Sequence, residues 1–393
     1  MISVKEAKNI ILENITLLEP KQMPLSESFG KLLKQDIYSP INLPPFNQSS
    51  VDGYAFCFDE WKKSSSLLIE GEVQAGNNSN TVITNHKAVR IFTGAPIPFG
   101  TDTVVMQEKT IQKDGFLYIE DNNIQKGSNA RIEGAELKKG SLALRKDTLI
   151  NAASIAFLAG MGIPEVVAIP NPAVSIIITG NELQQIGEDL TPGKIYDANS
   201  FALTSALHKQ QIFDIHIHYV NDNLDRLSEA LKKCIEQSDL ILLTGGVSVG
   251  DYDFVIRASE NCGVKNLFHR IKQRPGKPLF FGKKDNKIIF GLPGNPASVL
   301  TCFYEYVLPA LEKMTGQIHA LKKINCSLMT EFKKPAGLTH FLKGWYDGNV
   351  VGILEGQESY KLSSFANANC LVIIEEDETE VNQGDMVELH LLP

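Results

Sequence analysis

The chain has 393 residues, 43% of them apolar and 21% charged, with a formal net charge of −8. That length is too great for one compact core and sets an expectation of roughly two to four domains of ordinary globular composition. The acidic balance argues against general nucleic-acid binding, no apolar run reaches a membrane span, and the N-terminus lacks a secretory layout. A cytoplasmic protein with no membrane or nucleic-acid partner is the expectation.

In chain order, Ala7, Ile10, Ile11 and Ile15 recur at helical spacing and predict an amphipathic helix within 2–35, followed by strand-like connections. The stretch 40–54 is rich in proline, asparagine and serine and reads as a loop. From 67 to 142 the pattern changes to short alternating strands, at 88–93, 103–107 and 116–120, which suggests a small β-rich module. Helical signal returns at 152–159. Between 173 and 315, strands at 174–178, 215–220, 240–244 and 287–290 alternate with helices at 199–209, 224–237 and 297–314. Such alternation implies crossover units and a parallel sheet covered on both faces. Residues 320–393 return to short alternating segments, at 341–345, 350–354, 370–375 and 386–391, and read as a separate small β-domain. The six cysteines are scattered, with no C-x-x-C pair, so neither a zinc site nor a disulfide framework is expected.

In open parallel sheets, ligands bind beyond the carboxyl ends of the strands. Polar or glycine-rich motifs follow four strands here: Thr179-Gly-Asn-Glu182, Asn221-Asp-Asn223, Thr244 to Asp251 with Asp253, and Gly291 to Pro296. Each alone reads as a turn or helix cap, but together they favour a site. Gly245 and Gly246 suit a phosphate or ribose approaching the backbone, and equally a tight strand-to-helix turn. The segment is neither a Walker A motif nor a complete G-x-G-x-x-G fingerprint. Arg270, Lys272, Arg274 and Lys277 surround Pro275-Gly276. Cations around a turn can hold an oxyanion, although a solvated charged loop is the commoner fate of such residues. Glu182, Asp222 and Asp253 are candidates for Mg²⁺, which takes one or two carboxylates and borrows phosphate oxygens. No soft-ligand cluster is present, so a softer metal must arrive as an oxyanion or on ligand sulfur. The residues alone lead to an α/β enzyme domain with an anionic, nucleotide-like ligand and Mg²⁺.

Several strings resemble signatures of the molybdopterin molybdenumtransferase (molybdenum insertase) family, in its bacterial single-function form. They are Pro44-Pro-Phe-Asn-Gln-Ser-Ser-Val-Asp-Gly-Tyr-Ala55, Arg90-Ile-Phe-Thr-Gly-Ala-Pro-Ile-Pro98 with Asp102 to Glu108, and Thr179-Gly-Asn-Glu-Leu183. Ile195-Tyr-Asp-Ala-Asn199, the Gly-Gly-Val-Ser-Val-Gly run, Pro275-Gly-Lys-Pro278 and Gly291-Leu-Pro-Gly-Asn-Pro-Ala-Ser298 complete the set. They keep the family's order and cover nearly the whole chain.

The resemblance implies a multidomain α/β plus β fold. Its parts are an elongated helical linker domain at 1–45 and 140–170, an inserted β-rich module at 46–139, a central three-layer α/β domain at 171–318, and a C-terminal β-barrel-like domain at 319–393. It implies a homodimer whose clefts draw on both subunits, with a molybdopterin adenylyltransferase and cofactor-delivery proteins as partners. The implied reaction inserts molybdenum from molybdate into adenylylated molybdopterin, with Mg²⁺-dependent release of AMP.

Residue by residue, Asp52 and Thr93 match positions associated with activity, and Glu182, Asp222 and Asp253 match acidic positions around nucleotide and metal. Lys277 matches the lysine of Pro-Gly-Lys-Pro, while Gly245, Gly246, Ser248 and Arg274 fall in substrate-binding motifs. Pro293 and Pro296 match prolines of the site floor, and Lys343 and Ser359 match an Arg and a Ser of the molybdate-side pocket. Arg274 stands where lysine is common and Lys343 makes the opposite swap, changing a forked head for a point charge. Glu136, Val51 and Asn181 are further departures, standing where Asp, Met and Asp are common. The competing readings are a molybdopterin adenylyltransferase, a non-catalytic scaffold, and a plain nucleotide-binding module.

Overall fold

The computed structural model describes residues 1–76, 82–245, 254–317 and 321–393. They form two compact units, one of Met1–Lys21, Gly30–Leu32 and Ala168–Pro393, the other of Gln22–Phe29 and Leu33–Val167.

The first unit opens with helix α1 (Val4–Asn14), whose start is capped by the Ser3 hydroxyl accepting the Glu6 amide at 3.1 Å. The cap satisfies one of the amides that a helix start leaves open. Then follow β1 (Val174–Thr179), α2 (Asn199–Lys209), β2 (Ile215–Val220), α3 (Leu224–Gln237), β3 (Leu240–Thr244), α4 (Phe254–Asn261) and β4 (Lys265–Phe268). Next come β5 (Gln273–Arg274), β6 (Phe280–Lys284) and β7 (Lys287–Leu292). A continuous helical stretch comprises α5 (Pro296–Cys302), a π-helical turn (Phe303–Val307) and α6 (Leu308–Thr315). It ends at Gly316, left-handed at φ 67°, where a side chain would be strained.

One sheet has the order β2-β1-β3-β7-β6-β4. Its first four strands are parallel, with Ile176 beside both Ile217 and Leu242. The expected parallel sheet needs correction at one side, because β6 runs antiparallel to both β7 and β4. The cause is local: Lys284 pairs with Lys287 across Asp285-Asn286, and Asp285 at φ 53° makes this a tight hairpin with no crossover helix. Ile176, Ile178, Leu242 and Phe290 face one core, shared with α1, α2 and the long helical stretch. Ile177, Ile241, Leu243 and Ile289 face the other, shared with α3 and α4. Burial on both faces explains the near-continuous apolar strands. Helix α1 buries Ala7 and Ile11 in the first of these cores.

The C-terminal strands are β8 (Lys323–Leu328), β9 (Thr339–Tyr346), β10 (Val350–Ile353), β11 (Cys370–Ile374) and β12 (Met386–Leu391). They run in the order β9-β10-β8-β12-β11, and β11 pairs back onto β9, closing a five-stranded barrel around Leu342, Val351, Val372 and Leu389. Two-residue β5 lies parallel to β9, with Gln273 beside Thr339 and Arg274 beside His340. The basic segment is thereby stitched between the sheet, which it leaves at β4 and re-enters at β6, and the barrel.

The second unit is built on a six-stranded sheet whose neighbours, in order, are Thr103–Met106, Gly53–Phe56, Lys87–Ile91, Leu67–Val73, Phe116–Ile119 and Thr110–Lys113. Tyr54 and Phe56 face one core and Ala55 the other, as alternation requires. The helix expected at 152–159 is present. Within 140–170 the helix is the nine-residue Ala152–Gly160, and Leu142–Leu144 pairs as a strand with Ile37–Tyr38. No helix among the described residues is long and apolar enough to cross a membrane.

Candidate active site

The carboxyl ends of β1, β2, β3 and β7 bring their loops to one edge of the sheet. Gly245 follows β3 at φ 82°, and a Cβ there would lie 2.4 Å from the Thr179 carbonyl oxygen, so only glycine lets the two loops touch. The Asn199 side chain donates to the Gly294 carbonyl at 2.9 Å, tying the start of α2 to the loop after β7. The Asp222 amide donates to Asn181 Oδ1 at 3.3 Å, joining the loops after β2 and β1. Glu182 and Asp222 are both exposed, and neither carboxylate is hydrogen-bonded or ion-paired to another described residue. Hard oxygen donors left open at one edge suit Mg²⁺ that completes its shell with phosphate oxygens. No group of three or more His, Cys, Asp or Glu side chains is gathered for a metal among the described residues. Gly246, Ser248 and Asp253 lie outside the described residues.

A cleft of about 1030 Å³ opens from this edge toward the barrel. Arg274, Lys277, Pro293, Pro296 and Ser359 line it, together with Glu182 and Gly245. Of the four expected cations, Lys272 is engaged elsewhere, with Glu376 at 2.6 Å, and Arg270 is not among the lining residues. Arg274 and Lys277 are exposed and ion-pair with no described residue, so they carry the positive wall. The floor is the Leu292-Pro-Gly-Asn-Pro296 turn, where Pro296 starts α5 without leaving a helix amide unmatched. Ser359 is anchored to that floor twice: Asn295 donates to its hydroxyl at 2.7 Å and the Ala297 amide to its carbonyl at 3.1 Å.

A recess of about 100 Å³ shares Glu182, Gly245, Gly294 and Pro296 with the cleft. It shares Ile178, Leu183 and Asp197 with a third cavity of about 410 Å³ that ends on Phe201, Tyr219 and Asn221. The three form one track along the sheet edge, cationic at one end, carboxylate-lined in the middle and aromatic at the other. Asp197, buried, caps α2 through the Asn199 and Ser200 amides and accepts from the Tyr219 hydroxyl at 3.1 Å, which fixes the ring at the aromatic end.

Lys343 is corrected. It is only 2% exposed and is absent from the cleft lining. Its ammonium donates to the carbonyls of Gly356, Glu358 and Lys361 at 2.6, 3.3 and 3.2 Å, and burial pushes its pKa down. The three protons of this ammonium are therefore occupied, and Lys343 acts as a strut beneath the loop that carries Ser359. Asn199, Phe201, Tyr219, Asn295 and Gln357 reach the track and were not singled out from sequence. Asn199 and Asn295 sit inside quoted motifs, which was the available signal; the others had none.

In the second unit, Asp52 Oδ1 accepts from both the amide and the hydroxyl of Thr93, each at 2.8 Å. These two bonds, backbone first, hold the Asp52 carboxyl below its usual range, with Arg90 adding to the effect. Arg90 lies over the rings of Tyr54 and Phe92, 5.2 and 5.0 Å from their centroids. The pair is an exposed, ionised carboxylate held in a fixed direction. Glu136 lines a separate open cavity of about 540 Å³ with Pro44, Pro45 and Arg131.

Comparison with known proteins covers the chain. Residues 2–162 match the MoeA N-terminal region (domain I and II), 175–313 a probable molybdopterin binding domain, and 325–392 the MoeA C-terminal region (domain IV). A molybdopterin molybdenumtransferase of Haemophilus influenzae is 35% identical over the full length of both chains. One from Nostoc sp. is 33% identical over 100% of this chain and 94% of its own. The molybdopterin biosynthesis moeA protein of Pyrococcus horikoshii superimposes with a TM-score of 0.75 at 29% identity, covering 100% of each chain. The chain belongs to the molybdopterin molybdenumtransferase family.

Proposed function

We propose that the protein transfers molybdenum from molybdate to the dithiolene of adenylylated molybdopterin, with release of AMP. The observation that carries this reading is the track of cavities, with Arg274 and Lys277 at one end and Glu182 in its middle. Molybdate is a dianion, and two cations beside a tight turn attract it, Arg274 with a forked head and Lys277 with a point charge. Among the described residues the cleft offers no soft ligand, so the pterin sulfurs supply those the metal requires. The recess at Phe201 and Tyr219 suits a planar heterocycle of the same extended ligand.

Glu182 and Asp222, with Asp253, would hold magnesium, which when bound neutralises charge on the adenylate phosphates. Gly245 lets the loops after β1 and β3 close together at the sheet edge, Pro293 and Pro296 set the floor, and Ser359 offers a hydroxyl oriented by Asn295. Asp52 and Thr93 form a second acidic element of the reaction in this reading. The finer fold belongs to the same proposal: a linker domain, an inserted β-module, a three-layer α/β domain and a barrel domain, assembled as a homodimer with clefts drawing on both subunits.

The test is incubation of purified protein with adenylylated molybdopterin, with and without molybdate and Mg²⁺. AMP release that requires both supports the reading. Tight binding without turnover would instead indicate a scaffold, and light scattering decides the dimer.

A further inference from the structure

The cationic turn of the cleft is underpinned by a neutral, buried side chain, Gln273, at the edge of the cleft lining. Gln273 is 1% exposed, and its Nε2 donates to the carbonyls of Pro275 at 2.9 Å and Gly276 at 3.1 Å. Carbonyls only accept, so the amide nitrogen must face them, and Oε1 is left to accept from the Tyr306 hydroxyl. Gly276 stands at φ 84°, where an added Cβ would lie 2.6 Å from Cys302 Sγ and 2.9 Å from Gln273 Nε2. The turn therefore rests directly on this amide, with no space between them.

Tyr306 is itself fully buried and lies in the π-helical turn Phe303–Val307, in the middle of the helical stretch whose first residue, Pro296, is part of the cleft floor. A π-helical turn inside an α-helix is a costly irregularity that recurs at functional positions. Here it presents successive residues to two different walls. Tyr306 reaches the cationic turn through Gln273, and buried Glu305 binds Lys8 and His390, each at 2.6 Å, reaching α1 and barrel strand β12.

We propose that Gln273 and Tyr306 are positioning residues of the oxyanion wall. The chain Tyr306 hydroxyl, Gln273 amide, Pro275-Gly276 carbonyls fixes the turn so that Arg274 and Lys277 flank a single anion. This rests on the reading of the cleft as an oxyanion site, and goes beyond it by naming what holds the two cations in place.

The test uses the full-length protein with sodium molybdate as the probe, by titration calorimetry, alongside steady-state turnover and amide hydrogen exchange. Tyr306→Phe removes one hydroxyl and keeps the ring; Gln273→Met removes the amide and keeps the volume. Tyr306→Phe is expected to weaken molybdate binding by roughly fivefold to tenfold, the loss of about one buried hydrogen bond, and Gln273→Met, which removes three, by at least as much. The loss should appear in KM for molybdate, with kcat within about twofold. Because both act through one chain of bonds, the double variant should be no weaker than Gln273→Met alone. Tyr304→Phe, two residues away and outside the chain of bonds, should bind as the unaltered protein does.

Wild-type molybdate affinity in Tyr306→Phe and Gln273→Met, with only a lowered melting temperature, would overturn the proposal. So would additive losses in the double variant. If the unaltered protein takes up no molybdate, the cleft reading itself fails, and exchange at the Gly276 and Lys277 amides still decides the inference. Faster exchange there in either variant supports it; unchanged exchange overturns it. Should Gln273→Met not fold, Tyr306→Phe carries the same comparisons alone.

Discussion

Replacing Lys343 by Met should loosen one loop and weaken the anion site without removing any group that touches the anion. Methionine keeps the apolar stem but leaves the carbonyls of Gly356, Glu358 and Lys361 without their shared donor. The Glu358 carbonyl keeps the Lys361 amide at 3.1 Å, so two carbonyls are left unmatched, and at about 1 kcal/mol each the loss is roughly 2 kcal/mol. Removing a buried ammonium returns part of this, so roughly 2 kcal/mol is the ceiling of the net cost. The consequence is local, because Ser359 lies between the released carbonyls and is bonded to Asn295 and Ala297. Hydrogen exchange over 354–361 should accelerate, the melting temperature should fall, and molybdate affinity should drop by an amount that does not depend on salt. Unchanged exchange and melting, with a loss of affinity that shrinks as salt rises, would show that Lys343 contacts the anion and refute the strut.

Three further outcomes are expected. Lys277→Ala should weaken molybdate binding by a factor that shrinks with ionic strength, since an exposed cation acts through a screened field; titration at two salt concentrations checks it. Asp222→Ala should abolish Mg²⁺-dependent AMP release while leaving circular dichroism and melting unaltered, because its side chain has no partner among the described residues. Full turnover in that variant would remove Asp222 from the reaction. His340 is pushed down to about 4 by burial, with Lys334 and Arg274 adding. A depressed folded pKa means stability is present above about pH 6.5 and lost as pH falls toward 4. At 1.36 kcal/mol per unit the ceiling is about 3 kcal/mol. Urea titrations across that range should show this acid limb, and His340→Gln should flatten it.

What was legible in sequence follows from how each element is buried. Strands β1 and β3 are covered on both faces, so their unbroken apolar runs and the glycine motifs after them marked the sheet edge. Helix α3 showed its face through Leu227, Leu231, Cys234 and Ile235, capped by Asn223. The hairpin of β6 and β7 was missed although the polar run Lys283-Lys-Asp-Asn-Lys287 between two apolar stretches marks its turn, because only the second stretch was read as a strand. Strand β5 is two residues long and is defined by pairing with Thr339 and His340, far away in the chain. Of the site, Gly245, Glu182, Arg274, Lys277, Pro293, Pro296 and Ser359 come together in one cleft. Lys343 had the right residue type and the wrong direction, because a motif position fixes where a residue stands and not which way a buried side chain turns. Gln273 gave no signal, since its role depends on a tyrosine 33 positions later.

The most direct test of the central claim is the stoichiometry between molybdenum gained by the pterin and AMP released. It can be measured by metal analysis and X-ray absorption of the product formed with adenylylated molybdopterin, molybdate and Mg²⁺. One molybdenum bound through sulfur for each AMP is the predicted result. AMP released with no molybdenum–sulfur bond formed would contradict the account.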